Sequence, residues 1–408
     1  MLHRRLAVKK DANFKDWMDM RKICVVTATR AEYGLLSPII RELRKSEDKT
    51  LRVELIVTGT HLSEQYGMTV QEIESAGQRI DKMIEIPVKS DTSLDISSNQ
   101  ADALVKFTRL FAIERYSGVV LLGDRYEILA VAMAAGNTQT PIFHIGGGDT
   151  TEGAMDEWIR HSISKMSYLH FTTNEESRRR VVQLGESPDR VFNYGSTSID
   201  NILSVADMDK SEALKSIGLD DCEYALCTYH PVTMEEQQVE QHICAFLEAM
   251  KAFPHIQFIV TKSNADQGGA KINALLDEAG LSNLYVYTSL GVRRYLSLMK
   301  HAKLVLGNSS SGIIEAPALH VATVNIGDRQ RGRLQSASIV NCGSSTAEIV
   351  HGIEKAMSPT HQAICRDVVS PYGTGHAGER IAQKIMEALQ GSIDLKKKFY
   401  DLPGGART

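Results

Sequence analysis

Short apolar runs of strand length recur along the chain, separated by stretches whose apolar residues repeat at helical spacing. In the first half the runs are Lys22–Thr27, Arg52–Thr58, Gly118–Gly123, Thr140–Ile145, Tyr168–Thr173 and Arg190–Gly195. Helical patterns lie between them at Tyr33–Arg44, Gln100–Tyr116, Glu127–Ala135 and Asp156–Lys165. The runs are continuous rather than alternating, as in strands buried on both faces. Strands that alternate with helices mark βαβ units in a parallel sheet. The rhythm weakens after Asn201, and the polar segment Ser204–Asp221 reads as a bridge. It restarts with Tyr224–Tyr229, Gln257–Thr261, Leu284–Tyr287, Lys303–Leu306, Ala322–Ile326 and Ser338–Asn341. A helical pattern at Gly378–Leu389 closes the second series, and a basic tail, Lys396–Lys398, precedes Phe399 and Tyr400. The pattern predicts an α/β protein of two doubly wound, Rossmann-like parallel-sheet domains facing a central cleft. The expected division is an extension at 1–20, a first domain at 21–203, a second at 204–377, and a closing helix and tail at 378–408.

Length supports that division, because 408 residues exceed the usual size of one domain. Apolar residues make up 43% and charged residues 24%, the balance of a globular chain with a large core. A net charge of −4 gives no reason to expect nucleic acid or an anionic membrane as the main partner. No apolar run approaches the length of a membrane span. The six cysteines form no CxxC pair and no zinc-type spacing with histidine. They read as small hydrophobes or incidental thiols in a reducing compartment. The first twenty residues carry Arg4, Arg5, Lys9 and Lys10 but no apolar core, unlike a secretory signal. They read as a poorly ordered extension of a cytoplasmic protein.

Chemistry concentrates at the strand ends, where open α/β sheets bind ligands. The richest stretch is His144–His161, in which an apolar strand runs into Gly146, Gly147 and Gly148 and then into Asp149, Glu152, Asp156, Glu157, Arg160 and His161. Asp156 and Arg160 are four apart on one helix and share a face, as catalytic partners or as a plain surface ion pair. After the first strand, Arg30 stands at the mouth of a helix, a place for a phosphate or for an ordinary exposed arginine. After Leu122 the chain delivers Asp124 and Arg125, with Asp124 open to a role as helix cap or as base. His230 ends another apolar strand and is either an acid–base group or a hydrogen-bonded structural histidine. Thr261–Asp266, including Asn264, is a polar turn able to donate hydrogen bonds to a ligand. The strongest loop is Leu306–Glu315, where a strand ends at Gly307. Its small residues Ser309 and Ser310 lead into a helix near Gly312, and free amides with serine hydroxyls there form an anion site. Glu315, one turn in, is placed to take both hydroxyls of a ribose or to serve as a favourable helix-dipole charge. Neither the P-loop nor the dinucleotide GxGxxG pattern is present in that loop. Phosphate donors in the second half and carboxylates in the first suit a nucleotide-sugar.

Taken in order, Thr29-Arg30-Ala31-Glu32-Tyr33-Gly34, Gly123-Asp124-Arg125, Asp156 with Ile159-Arg160-His161, His230-Pro231, Gly307-Asn308-Ser309-Ser310 with Glu315, and Gly327-Asp328-Arg329-Gln330 are recognisable. The set resembles the hydrolysing UDP-N-acetylglucosamine 2-epimerases of bacterial sialic acid biosynthesis, over about Arg21 to Tyr400. Non-hydrolysing relatives usually have proline where Ala31 stands, which places the chain with the hydrolysing branch. The resemblance implies a GT-B fold, with the sugar on the first domain and UDP on the second. It implies conversion of UDP-N-acetylglucosamine and water to N-acetylmannosamine and UDP, by elimination through a glycal and hydration with inversion at C2. It implies UDP contacts from Arg30, Arg125, Ser309, Ser310, Gly312, Glu315 and Arg329, with Asn264 nearby. Asp124, Asp156 and Arg160 are catalytic by the same carry-over, and His230 is a phosphate-side or acid–base group. No metal or cofactor is implied, and the chain is expected to form a homodimer or homotetramer.

Two positions depart from the family pattern. Many members place Glu two residues after the histidine of the His144 stretch, where this chain has Gly146, and their later Glu is Asp149 here. Asp149 is therefore the candidate to take over part of that work. A serine that contacts UDP in some relatives is Gly34. The rival expectations are the sister hydrolysis of UDP-N,N′-diacetylbacillosamine, a GT-B glycosyltransferase, and a non-catalytic UDP-sugar sensor.

Overall fold

The protein, seen in a computed structural model, is described over residues 20–89, 92–151, 155–231, 239–263 and 269–403. The expected N-terminal extension lies outside the described residues, apart from residue 20. The first sheet holds β1 (Arg21–Thr27), β2 (Leu51–Thr58), β3 (Lys82–Ile84), β4 (Gly118–Leu122), β5 (Ile142–Ile145), β6 (Leu169–Thr172) and β7 (Val191–Asn193). The second holds β8 (Tyr224–Thr228), β9 (Gln257–Thr261), β10 (Leu284–Tyr287), β11 (Leu304–Gly307), β12 (Ala322–Ile326) and β13 (Ile339–Cys342). Their orders are β3-β2-β1-β4-β5-β6-β7 and β10-β9-β8-β11-β12-β13. The pairings are parallel throughout, for example Ile23 with Val53 and with Gly118, and Leu304 with Ala225 and with Ala322. Each sheet is doubly wound, and strand order reverses between β1 and β4 and between β8 and β11. Crevices open at such reversals.

Burial explains why the strands read as continuous apolar runs. Ile23 and Val25 of β1 face one core and Cys24 and Val26 the other, so neither face meets water. In β8, Ala225 and Cys227 face one core and Tyr224 and Leu226 the opposite one. The short strand β3 was not expected. It pairs at an edge, and Met83 is half exposed, so it carries no apolar run to read.

The closing helix belongs to the first sheet and not to the second. Helix Ala377–Gln390 sends Ala377, Ile381, Ile385 and Leu389, spaced by four, into the core that holds Leu36, Ile39, Ile40 and Leu43 of helix Arg30–Lys45. The chain thus crosses between the sheets twice, and the crossings touch: Ser196 N–H donates to the Tyr372 carbonyl at 2.8 Å. A Cβ on Gly195 would sit 2.6 Å from that carbonyl oxygen, so only glycine admits the contact. His376, at the N-cap of the returning helix, has φ +64° and makes no side-chain cap. The buried Asp200 carboxylate of helix Thr197–Val205 supplies it, accepting from Ala377 N at 3.0 Å and Gly378 N at 2.6 Å. Pro38 lies inside helix Arg30–Lys45, and it has no N–H to offer Gly34. Asn201 Nδ2 donates to that freed carbonyl at 2.7 Å.

Beyond this helix the tail folds back on the first unit. Lys397 donates to Ser167 O and Lys165 O and pairs with the buried Glu186, which also takes Lys165 and His170. All six cysteines are free thiols. Among the described residues no helix is long and apolar enough to cross a membrane, and no group of three or more His, Cys, Asp or Glu is arranged to hold a metal. Because Asp200 caps the returning helix from 177 residues away, Asp200→Ala should cost about 1–2 kcal/mol of stability, read by urea unfolding.

Candidate active site

The loop after β1 is built by a capping box. Thr29 Oγ1 accepts from Glu32 N, and Glu32 Oε2 accepts from Thr29 N at 3.2 Å and Ala28 N at 2.7 Å. Glu32 is spent on the backbone, and burial, with the Glu127 carboxylate second, pushes its carboxyl up to about 8. Arg30, the first helical residue, is free of that box and half exposed. It crosses to the second unit, donating to Ser289 Oγ at 2.5 Å just past β10.

Asp124 and Arg125 follow Gly123 at the end of β4, on the first crevice. His144 of the neighbouring β5 fixes their backbone. It is fully buried, with Nε2 2.9 Å from the Gly123 carbonyl and Nδ1 3.2 Å from Ser164 Oγ. Burial lowers its pKa to about 4, so the ring is neutral. The carbonyl can only accept, so Nε2 carries the hydrogen and Nδ1 accepts from Ser164.

Arg160 organises the loops around it. Its side chain is 2% exposed and pairs with Asp124. One nitrogen donates to Asp149 O at 2.8 Å and to Glu157 Oε2 at 3.2 Å, and the other to Thr151 Oγ1 at 2.7 Å and to Asp124. Burial opposes its charge, yet the carboxylates of Asp124, Asp149 and Glu157 hold its pKa above the ordinary value. The expected Asp156–Arg160 pair is replaced by Asp124 and Glu157. The arginine reaches toward the β4 loop, and Glu157, three residues back on helix Met155–Met166, lies on that side. Asp156 sits half-buried in the first turn of the same helix.

Asp149 is drawn into the same scaffold. Its Oδ1 accepts from Thr173 Oγ1 at 3.0 Å and Ser177 Oγ at 2.5 Å. Gly148 lies so close to the next helix that a Cβ would fall 2.1 Å from Ser177 O. Gly146 differs: its φ is +80°, and a Cβ there would meet nothing within 4 Å among the described residues. The position where the family resemblance led us to expect glutamate is open space among the described residues. Glu152, next in this stretch, lies outside the described residues.

In the second unit the strand ends are locked by Asn308. Gly307 (φ +137°) presses against β8, and a Cβ would fall 2.0 Å from Thr228 O. The Asn308 side chain then accepts from His230 N at 2.7 Å and donates to His230 O at 2.8 Å. Its own carbonyl accepts from Arg329 at 3.1 Å and Gln330 at 2.8 Å. His230 is buried, with Nδ1 3.2 Å from Ser263 Oγ. Burial, reinforced by Arg329, lowers its pKa to about 3, so it presents a neutral ring at physiological pH. Ser309 caps helix Ser310–Ala318 through Ser311 N, which aims the helix start and its free amides outward. Gly312 faces the sheet: its amide donates to Ser309 O, its carbonyl accepts from Thr323 Oγ1, and a Cβ would fall 2.8 Å from Thr323 Cγ2. Glu315 is bonded to Ser311, and burial raises its carboxyl. Asn264 lies outside the described residues.

The structure therefore gathers Asp124, Asp149 and Arg160 into one network, and His230, Ser309, Glu315 and Arg329 around the second crevice, with Arg30 reaching across. Thr151 and Ser289 were not named in the sequence reading, and His144, Glu157 and Asn308 were named only as members of their stretches, without a role of their own. Glu157 had a detectable signal in its three-residue spacing to Arg160. Ser289 had none, because its partner lies 259 residues away.

Two doubly wound sheets, with a serine-capped helix start at the crevice of one and a carboxylate–arginine cluster at that of the other, fit a nucleotide-sugar enzyme of GT-B architecture. The chain belongs to the UDP-N-acetylglucosamine 2-epimerase family, whose signature matches residues 42–386. It is 37% identical over 389 residues to a Campylobacter jejuni protein named as a hydrolysing GDP/UDP-N,N′-diacetylbacillosamine 2-epimerase, covering 94% of this chain and all of that one. It is 36% identical to the Escherichia coli polysialic acid biosynthesis protein P7, covering 94% of this chain and 98% of that one. A crystal structure of UDP-GlcNAc 2-epimerase from Neisseria meningitidis bound to UDP-GlcNAc shares the fold. Its TM-score is 0.78 at 20% identity, over 90% of this chain and all of that one.

The buried neutral histidines make stability pH-dependent. Unfolded, His144 gains a proton near pH 6.5; folded, only near 4. The unfolded chain binds more protons between these values. Stability is therefore full above pH 6.5 and falls as pH drops toward 4, by up to ~1.4 kcal/mol per pH unit for each such histidine. His144→Asn should make that slope shallower by about one proton, measured by urea unfolding between pH 5 and 7.

Proposed function

We propose that the protein hydrolyses UDP-N-acetylglucosamine with inversion at C2, releasing N-acetylmannosamine and UDP for sialic or related nonulosonic acid synthesis. The observation that carries this reading is the Asp124 carboxylate, held by the buried Arg160 at the first crevice, with cationic and amide donors gathered at the second. The C2 hydrogen of the sugar is not acidic, so charge must develop as the C1–O bond breaks. That bond's electron pair goes to the β-phosphate oxygen of UDP. Arg30, Arg125, Arg329, the Ser309–Ser310 helix start and the neutral His230 are assigned to the diphosphate, where they stabilise the departing charge. Glu315 is assigned to the ribose. Gly312 serves by letting its helix approach the sheet, since its amide is already bonded. A carboxylate takes the C2 proton, leaving a glycal. Water then adds across the double bond, with hydroxyl to C1 and a proton to the opposite face of C2. Asp124 and Asp156 are the carboxylates assigned to these transfers, with Arg160 positioning Asp124. Asp149 is the candidate for the work of the glutamate absent at Gly146.

Hydrolysis of UDP-N,N′-diacetylbacillosamine is the second reading. The name of the Campylobacter relative favours it, and so does the open space at Gly146. A cytoplasmic setting, supported by the six free thiols, and a homodimer or homotetramer complete the proposal.

The deciding experiment incubates the protein with each UDP-sugar in deuterated water and identifies the released sugar. Release of UDP without acceptor, with one deuterium at C2, is expected. A requirement for an acceptor would instead indicate a glycosyltransferase, and no turnover on either sugar would end the proposal. Asp124→Asn should lower turnover by roughly 10²–10⁴ while UDP affinity, read by calorimetry, stays within a few-fold. Asp149→Asn keeps an oxygen for Thr173 and Ser177 and should reduce turnover far more than UDP affinity; unchanged turnover removes Asp149 from the mechanism.

A further inference from the structure

The loops after β8 and β9 are held by the same device used twice. Asn308 reads both backbone groups of His230, accepting from its N–H at 2.7 Å and donating to its carbonyl at 2.8 Å. Asn273, on helix Gly269–Glu278, does the same for Ser263, accepting from its N–H at 2.8 Å and donating to its carbonyl at 3.3 Å. The two clamped residues then meet, with Ser263 Oγ 3.2 Å from His230 Nδ1. These clamps lie beyond the strand ends. Pairing of β8 with β9 is already secured by its ladder, from Tyr224 with Gln257 to Thr228 with Thr261, and by the 2.6 Å hydroxyl contact of Thr228 and Thr261. Ser263 is 8% exposed and Asn308 fully buried, so neither clamp is replaced by water. With Nδ1 taken by the Ser263 hydroxyl, Nε2 is the ring nitrogen left without a partner among the described residues.

We propose that Asn273 is a positioning residue for the reaction, acting through Ser263 to fix the ring orientation and tautomer of His230. A hydroxyl locked in place can donate to Nδ1, which leaves the hydrogen on Nε2 as a neutral donor. The proposal rests on the assignment of His230 to the diphosphate side of the site. There, a neutral N–H donor gains strength as negative charge builds on the leaving UDP. A ring free to turn loses that interaction in the transition state first, so the loss falls on kcat more than on KM.

The test uses the full chain with its UDP-sugar substrate. Asn273→Ala should lower kcat roughly 10–100-fold with KM changed no more than about threefold. Asn273→Asp, which keeps the acceptor for Ser263 N–H, should recover part of the loss. In a His230→Asn background, Asn273→Ala should add no further loss. Nitrogen NMR of histidine-labelled protein supplies a readout independent of turnover: the His230 ring signals should shift toward the other tautomer or a mixture in Asn273→Ala. Unchanged kcat, a loss that persists in the His230→Asn background, or unchanged His230 signals would each overturn the proposal. Full activity of His230→Asn alone would instead overturn the placement of His230, which separates the two failures.

Discussion

A buried cation holds the first crevice together. Arg160 lies almost wholly out of water, a position tolerated only when the charge is paired and its donors are taken. Here every contact also does positional work. Asp124 comes from the end of β4, the Asp149 carbonyl and Thr151 from the glycine loop after β5, and Glu157 from the arginine's own helix. Losing one partner of such a pair costs about 3–5 kcal/mol in typical proteins. The loops it joins are thus rigid relative to one another, and Asp124 presents its carboxylate from a fixed place.

The second crevice reaches rigidity by neutral means. Asparagine side chains act as substitute strand partners for His230 and Ser263, and a glycine allows β11 to press against β8. The difference suits the division of labour. On the proposed reading the second crevice offers positive or neutral donors to a diphosphate, and Glu315, the buried carboxylate there, is assigned to the ribose instead. On the same reading the first crevice holds carboxylates near a carbon that gives up a proton, and a buried arginine is the natural anchor for them. Arg30 joins the halves through Ser289, and the returning helix Ala377–Gln390 joins them from behind through Asp200.

Much of this architecture was legible because burial on both sides of a parallel sheet leaves a local mark. Among the described residues, twelve of the strands announce themselves as short, mostly apolar runs, while β3, half exposed at an edge, does not. Ser309, Glu315 and His230 drew attention in the sequence because strand ends in open sheets are where ligand groups collect. The returning helix was legible as an amphipathic pattern, but the sheet it covers was not, since its apolar face fits either core.

What the sequence by itself determined is therefore what depends on near neighbours: the buried strands and their succession along the chain, the helical faces, the polar loops at the strand ends, and the family. Only the tertiary structure decided which of those residues meet. Arg160 is four residues from Asp156, yet it pairs with Asp124, 36 residues away, and with Glu157. Asn308 reaches His230 across 78 residues, and Asp200 caps a helix across 177. The reason is physical. Helical spacing brings two side chains to one face, but a buried charge or an unpaired backbone group takes whichever partner the packed sheets place beside it, and strand order sets that choice.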